Sequence, residues 1–101
     1  MDLDSNLDWY EDVDCPLGTD LVWGFQIDPL DLTGTTSVFF LNDVGYDMTL
    51  SIPSPNVSQL QVKVSNTVIS ALGTGLWSYY IRTTYTDGSI GATGYGEVIV
   101  S

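Results

Sequence analysis

Residues 76–100 read LWSYYIRTTYTDGSIGATGYGEVIV, and this stretch decides the fold class. Its first part places Trp77, Tyr79, Ile81 and Tyr85 on one face and Ser78, Tyr80, Arg82 and Thr84 on the other, the period-2 alternation of a strand. Asp87-Gly88 follows, the strongest short hairpin signal, because both residues tolerate the backbone that a tight reversal needs. Residues 90–100 form the returning strand. There Gly91, Gly94 and Gly96 predict bulging or a close backbone approach, since glycine otherwise weakens a strand.

The segments upstream repeat the pattern. Residues 59–65 (QLQVKVS) turn Leu60, Val62 and Val64 inward and Gln61 and Lys63 outward. Between this strand and residue 76 lies the one helix candidate, with Val68, Ile69 and Leu72 at helical spacing and Gly73 to close it. At about one turn it is too short to be stable alone. Residues 46–52 (YDMTLSI) alternate Tyr46, Met48, Leu50 and Ile52 with polar residues, and Pro53 and Pro55 forbid continuation into a central strand. Residues 36–42 (TSVFFLN) read as a central strand, followed by a turn at Asn42-Asp43-Val44-Gly45. Residues 20–28 (DLVWGFQID) put Leu21, Trp23, Phe25 and Ile27 on one face, and a turn-rich loop, DPLDLTG, follows. Seven or eight short strands with turns between them predict an all-β, antiparallel sandwich or small barrel.

The first 15 residues, MDLDSNLDWYEDVDC, alternate acids with Leu3, Leu7, Trp9 and Val13. They read as an extended N-terminal arm over residues 1–15 that pairs as a strand near 7–13, with the sandwich domain over 16–101 and Pro16-Leu17-Gly18 at the boundary.

Charge is the extreme feature: 13 acidic side chains against Lys63 and Arg82, a net charge of −11. Eleven of the acids fall within residues 1–47, which hold no base, so the excess lies wholly in that half. Two cations cannot release counterions from a phosphate backbone, which argues against nucleic acid as a partner. Anionic membrane surfaces are disfavoured for the same reason. A basic partner, or simple solubility, remains consistent with this charge. Apolar runs reach only four or five residues, against the roughly 20 that cross a bilayer, so a soluble chain is expected. No basic stretch followed by an apolar run marks a secretory signal. Cys15 is the lone cysteine, so no intrachain disulfide forms and the thiol serves as a small apolar residue.

The inventory for chemistry is thin. With no histidine and one cysteine, Ser-His-Asp and Cys-His machinery and His- or Cys-based metal sites are excluded. Paired carboxylates could hydrolyse glycosides, but that needs a sugar-sized cleft for which 101 residues leave little room. Asp2, Asp4, Asn6 and Asp8 follow the opening spacing of a calcium loop, which then fails where Leu7 replaces the turn glycine and Val13 the bidentate glutamate. A solvated acidic face explains these residues more simply, so no metal and no cofactor is expected. Asn56-Val57-Ser58 fits the glycosylation triplet and reads as a plain loop without a secretory signal. Trp23 and Phe25 read as core. Leu7, Trp9, Tyr10, Val13 and Tyr80 are the candidate interface residues, because aromatics are enriched where proteins meet.

Two stretches carry a family resemblance. Asp31-Leu32-Thr33-Gly34 stands between the strands LVWGFQID and SVFFL, and the C-terminal part reads Leu72-x-x-Gly75-x-Trp77-x-Tyr79-x-Ile81, then Asp87-Gly88, then Gly96-x-Val98. Over roughly residues 20–100 this resembles the immunoglobulin-like β-sandwich modules of tailed-bacteriophage virion proteins, including the N-terminal domain of baseplate upper proteins. The resemblance implies an immunoglobulin-like sandwich with a structural, non-enzymatic role in a virion, packed with other virion proteins and with copies of itself. The acidic arm lies outside the pattern, and the chain ends where fibre or baseplate relatives continue, which implies no receptor-binding part. The leading expectation is a capsid decoration or cement protein that clamps neighbouring subunits. A small tail, baseplate or fibre adaptor is the alternative, and a carbohydrate- or protein-binding module with Tyr80 or Trp77 as its platform is a further one.

Overall fold

The computed structural model describes residues 10–27, 32–55 and 57–101. Within them the chain forms β1 (Val13–Cys15), β2 (Leu21–Ile27), β3 (Thr36–Leu41), β4 (Val44–Asp47), β5 (Thr49–Ser54), β6 (Val57–Val64), a short helix α1 (Asn66–Leu72), β7 (Gly75–Thr84) and β8 (Ile90–Val100). The strands form two sheets, one ordered β1-β8-β7-β3-β4 and the other β2-β6-β5. The protein is an all-β, immunoglobulin-like sandwich: a three-strand layer faces a layer whose third, seventh and eighth strands form a contiguous set, extended at both sides.

Each strand pair except β1–β8 is antiparallel. β1 runs parallel to β8, with Val13 opposite Val98 and Cys15 opposite Val100. This departs from the expected wholly antiparallel pairing. It also brings residues 13–15, the end of the stretch read as an arm, into the sandwich itself. The strand expected near 7–13 thus begins at Val13 among the described residues, and residues 7–9 lie outside them.

Alternation fills the gap between the layers. Phe39, Leu41, Tyr79, Ile81, Val98 and Val100 of the larger sheet face Leu21, Val62 and Val64 of the smaller one. Trp23 joins them, with ring centroids 5.4 Å from Tyr79 and 6.0 Å from Phe39. One polar pair is buried in this region: the Ser37 and Thr83 hydroxyls lie 2.8 Å apart and satisfy one another, as burial requires. At the sandwich's end Leu32, from the loop read as DLTG, is buried, and its N–H donates to the Ser58 hydroxyl at 2.8 Å. That hydroxyl belongs to the glycosylation-like triplet and is fully buried; Asn56 lies outside the described residues.

The turns follow their residues. Asn42 and Asp43 both take positive φ, the backbone of a two-residue hairpin loop between Leu41 and Val44. The Asp87-Gly88 hairpin closes on a larger loop: Tyr85 N–H donates to Ser89 O at 2.8 Å and Gly88 N–H to Tyr85 O at 2.9 Å, with Gly88 at φ 88°. The Asp87 carboxylate accepts from the Ser89 N–H and hydroxyl, at 2.9 and 2.6 Å, and these bonds hold its pKa below the usual carboxylate value. Ser89→Ala is expected to move the Asp87 pKa back up towards that value, read by carboxyl-carbon NMR against pH. Because the folded pKa is the depressed one, this contribution to stability is present above the unfolded carboxylate pKa and fades as pH falls through the folded value.

The alternating run 46–52 divides. Met48 separates β4 from β5, and its N–H donates to Ser37 O at 3.1 Å while the chain crosses from one sheet to the other. Tyr46, in β4, and Met48, at the crossing, both pack against the core, so one sequence periodicity runs on while the chain changes layers. Pro53 sits inside β5, where the edge position spares a ladder hydrogen bond. Helix α1 buries Ile69 and ends at Gly73, whose carbonyl accepts from Trp77 Nε1 at 2.9 Å. Its first N–H, of Asn66, is capped from a distance by the Asp20 carboxylate at 2.8 Å. Asp20→Ala is expected to cost about 1 kcal/mol, as loss of a helix cap does, measured as a lower urea midpoint with an unchanged m value.

Candidate interaction surface

The outer face of the five-stranded sheet carries a row of rings. Register places Tyr10 opposite Tyr95, Tyr95 opposite Tyr80, Tyr80 opposite Phe40 and Phe40 opposite Gly45, so one line crosses every strand of the sheet beyond the short β1. Directly opposed residues share a face. Tyr10, Tyr95 and Tyr80 keep 53%, 48% and 39% of their surface exposed. Phe40 and Tyr80 stack nearly parallel at 4.8 Å, Tyr10 meets Tyr95 edge-on at 5.3 Å, and the Arg82 guanidinium lies over the Phe40 ring at 4.7 Å. Leu76 and Ile90, two rows away on either side beyond Ser78–Glu97 and Arg82–Ala92, are also exposed. Gly45 leaves the end of the row open: a Cβ there would come within 3.1 Å of the Phe40 ring.

A β-bulge builds this row. The β7–β8 register shifts between Ile81, opposite Gly94, and Arg82, opposite Ala92. Without the shift Tyr80 would oppose Gly94, and Tyr95 would point inward at Tyr79. One extra residue turns Tyr95 out.

Residues 10–12 strap across the start of the row. Glu11 N–H donates to Tyr95 O at 3.1 Å, the Tyr79 hydroxyl donates to Glu11 O, Trp23 Nε1 donates to the Glu11 carboxylate at 3.0 Å, and Glu97 N–H donates to the Asp12 carboxylate at 3.2 Å. Burial, with the Glu11 and Asp12 carboxylates beyond it, raises the Tyr79 phenol and keeps it a donor. The strap lies close because Gly96 has no side chain: a Cβ there would stand 2.0 Å from Glu11 O.

Asp12, hydrogen-bonded to the Tyr10 hydroxyl, pushes the Tyr10 pKa up to about 12. Asp12→Asn is expected to return that ionisation towards the ordinary tyrosine value, read as the difference in tyrosinate absorbance from a Tyr10→Phe chain. A raised folded pKa contributes stability that is present below the unfolded pKa and lost as pH rises through about 12.

Of the residues singled out from the sequence, Tyr10 and Tyr80 come together in this row, while Leu7 and Trp9 lie outside the described residues. Val13 is a correction: β1 turns it inward, where at 8% exposure it is core against the β8 strand rather than a contact for a partner. Trp77 packs against the core and spends its N–H on Gly73, so it offers no platform. Tyr95, Phe40, Leu76 and Ile90 were not foreseen as surface. The alternation of 76–86 carried the signal for Leu76, and only the bulge could have revealed Tyr95.

No protein family and no curated protein matches the chain in sequence. Among solved structures, the type III pullulan hydrolase from Thermococcus kodakarensis is similar in fold, with a TM-score of 0.51 and 18% identity over 74% of this chain. The chain spans 11% of that enzyme's length. The likeness is one of fold.

Proposed function

We propose that this chain is a non-enzymatic structural protein that holds other protein chains together, with the outer face of its five-stranded sheet as the contact surface. The observation that carries the reading is the ring row Tyr10–Tyr95–Tyr80–Phe40, since contiguous exposed aromatic surface on a small domain is the kind that another protein covers. Its setting, by the family resemblance of residues 20–100, is a bacteriophage virion, as a capsid decoration or cement protein or as a small tail, baseplate or fibre adaptor, with self-association through surfaces other than this face. Pairing of residues 10–15 within the chain's own sheet supports the face, rather than that part of the arm, as the clamp.

The test is occupancy. Virion particles produced without this chain are incubated with it and with a Tyr80→Lys/Tyr95→Lys chain. The expected result is that the parent chain sediments with particles and the double variant is lost to about one tenth or less, the size of effect two central aromatic contacts carry. Equal occupancy removes the face from the reading. Failure of the parent chain to sediment removes the virion setting.

Carbohydrate binding is the second reading, raised by the fold likeness to a pullulan hydrolase. Sugar stacking needs a free ring face, whereas Phe40 already has Tyr80 stacked on it and Arg82 over it. Titration with pullulan is expected to leave the amide resonances of these strands unmoved.

A further inference from the structure

We propose that the partner seated on this face is a cationic protein segment, one that sets arginine or lysine side chains around an apolar centre, and not a second copy of this chain; this rests on the reading that the face is the contact surface. Two observations carry it. The centre of the face is aromatic and partly exposed, at Tyr80, Tyr95 and Tyr10, with Leu76 and Ile90 exposed towards the two ends of the β7–β8 pair. Around that centre the charge is one-sided. Register sets Asp14 beside Ile99 and Leu76, Glu97 beside Ser78, and Asp47 beside Val38, and the strap places Asp12 at Glu97. Against these four carboxylates the face holds one base, Arg82, whose guanidinium is engaged over Phe40. Lys63, the chain's other base, lies on the opposite sheet near Asp20, at 3.7 Å.

A two-fold contact through this face would oppose acid to acid, since an isologous interface meets its own patch. Two chains of net charge −11 would meet with one arginine each, already engaged over Phe40, against four carboxylates each. A cationic segment meets the same surface with complementary charge, its alkyl stems covering the apolar rings while its charged heads reach the carboxylates. The rim then contributes approach rate and orientation and the rings contribute the lifetime.

The experiment titrates the 15N-labelled chain with two synthetic peptides, one alternating arginine with leucine and one alternating glutamate with leucine. The expected result is that the arginine peptide moves the amides of Tyr80, Tyr95, Phe40 and Leu76, that the glutamate peptide moves none, and that affinity falls about tenfold as salt rises from about 0.05 to about 0.5 M. Location of the charge is separated from its amount by two variants of equal net change. Glu97→Gln/Asp47→Asn is expected to weaken binding several-fold, and Thr67→Lys/Ser70→Lys, on exposed positions of α1, by less than a factor of about two. Equal losses from both variants, shifts scattered away from the face, or equal response to the glutamate peptide would overturn the proposal. So would a dimer that protects Tyr80 and Tyr95, which would make a second copy the occupant. If Tyr80→Lys/Tyr95→Lys loses particles while Glu97→Gln/Asp47→Asn keeps them, the contact surface stands and the cationic partner falls.

Discussion

Replacing Gly96 with alanine is expected to lower stability by about 2–4 kcal/mol, an unusual loss for a single added methyl. The reason is the 2.0 Å that would separate the added methyl carbon from the Glu11 carbonyl oxygen, with the Tyr79 ring at 3.0 Å as well. Backbone, unlike the far end of a long side chain, cannot step aside cheaply. The strap must lift, and with it go the Glu11 to Tyr95 bond, the Tyr79 hydroxyl's acceptor and the Trp23 to Glu11 contact. Each such bond is worth roughly 1 kcal/mol net, and the buried Tyr79 hydroxyl, left unsatisfied, costs more. Urea unfolding gives the stability change, and Tyr79→Phe provides the comparison: it removes one of these bonds without the clash and is expected to cost about 1 kcal/mol. Near-parent stability for Gly96→Ala would mean that residues 10–12 do not lie across β8.

The second large effect divides two neighbours. Phe39→Ala is expected to cost about 3–5 kcal/mol, and Phe40→Ala about 1 kcal/mol or less. Phe39 is fully buried, stacked on Tyr79 at 4.9 Å and near Trp23, so its loss leaves a cavity between the layers. For a domain of about this length the melting temperature would fall by roughly 15–30 °C, a large part of a margin that is only about 5–15 kcal/mol in all. Phe40 stands on the other face against Tyr80, where truncation removes a stack and exposes little. It is expected to fold and to bind poorly. Calorimetry on the two variants therefore reads both the strand's alternation and the division of labour between its faces; equal losses would contradict the register of β3.

That division was legible in part. The alternation of 76–86 and 20–28 gave the layers, and Asp87-Gly88 gave the hairpin, because a period of two and a turn dipeptide are local properties. The glycines of the last strand signalled both of their uses: the register shift near Gly94 and the close approach at Gly96. What could not be read was the outcome of pairing. Tyr95 faces outward through a single extra residue whose placement depends on β7, and Tyr46 and Met48 continue one alternation although the chain changes sheets between them and Leu50. Val13 looked like an arm's apolar contact because its partner, Val98, lies at the far end of the chain. The site followed the same rule. Tyr80 and Tyr10 were visible as exposed-type aromatics, but the row they form with Tyr95 and Phe40 exists only in the assembled sheet.

The most direct measurement is hydroxyl-radical footprinting of this chain, free and within the particle that contains it. Tyr10, Tyr80 and Tyr95 are expected to oxidise readily in the free chain and several-fold more slowly in the particle, while Val22 and Ile52, exposed on the other sheet, keep their rates. Tyrosines that oxidise equally in both states would contradict the assignment of this face as the surface that holds other chains.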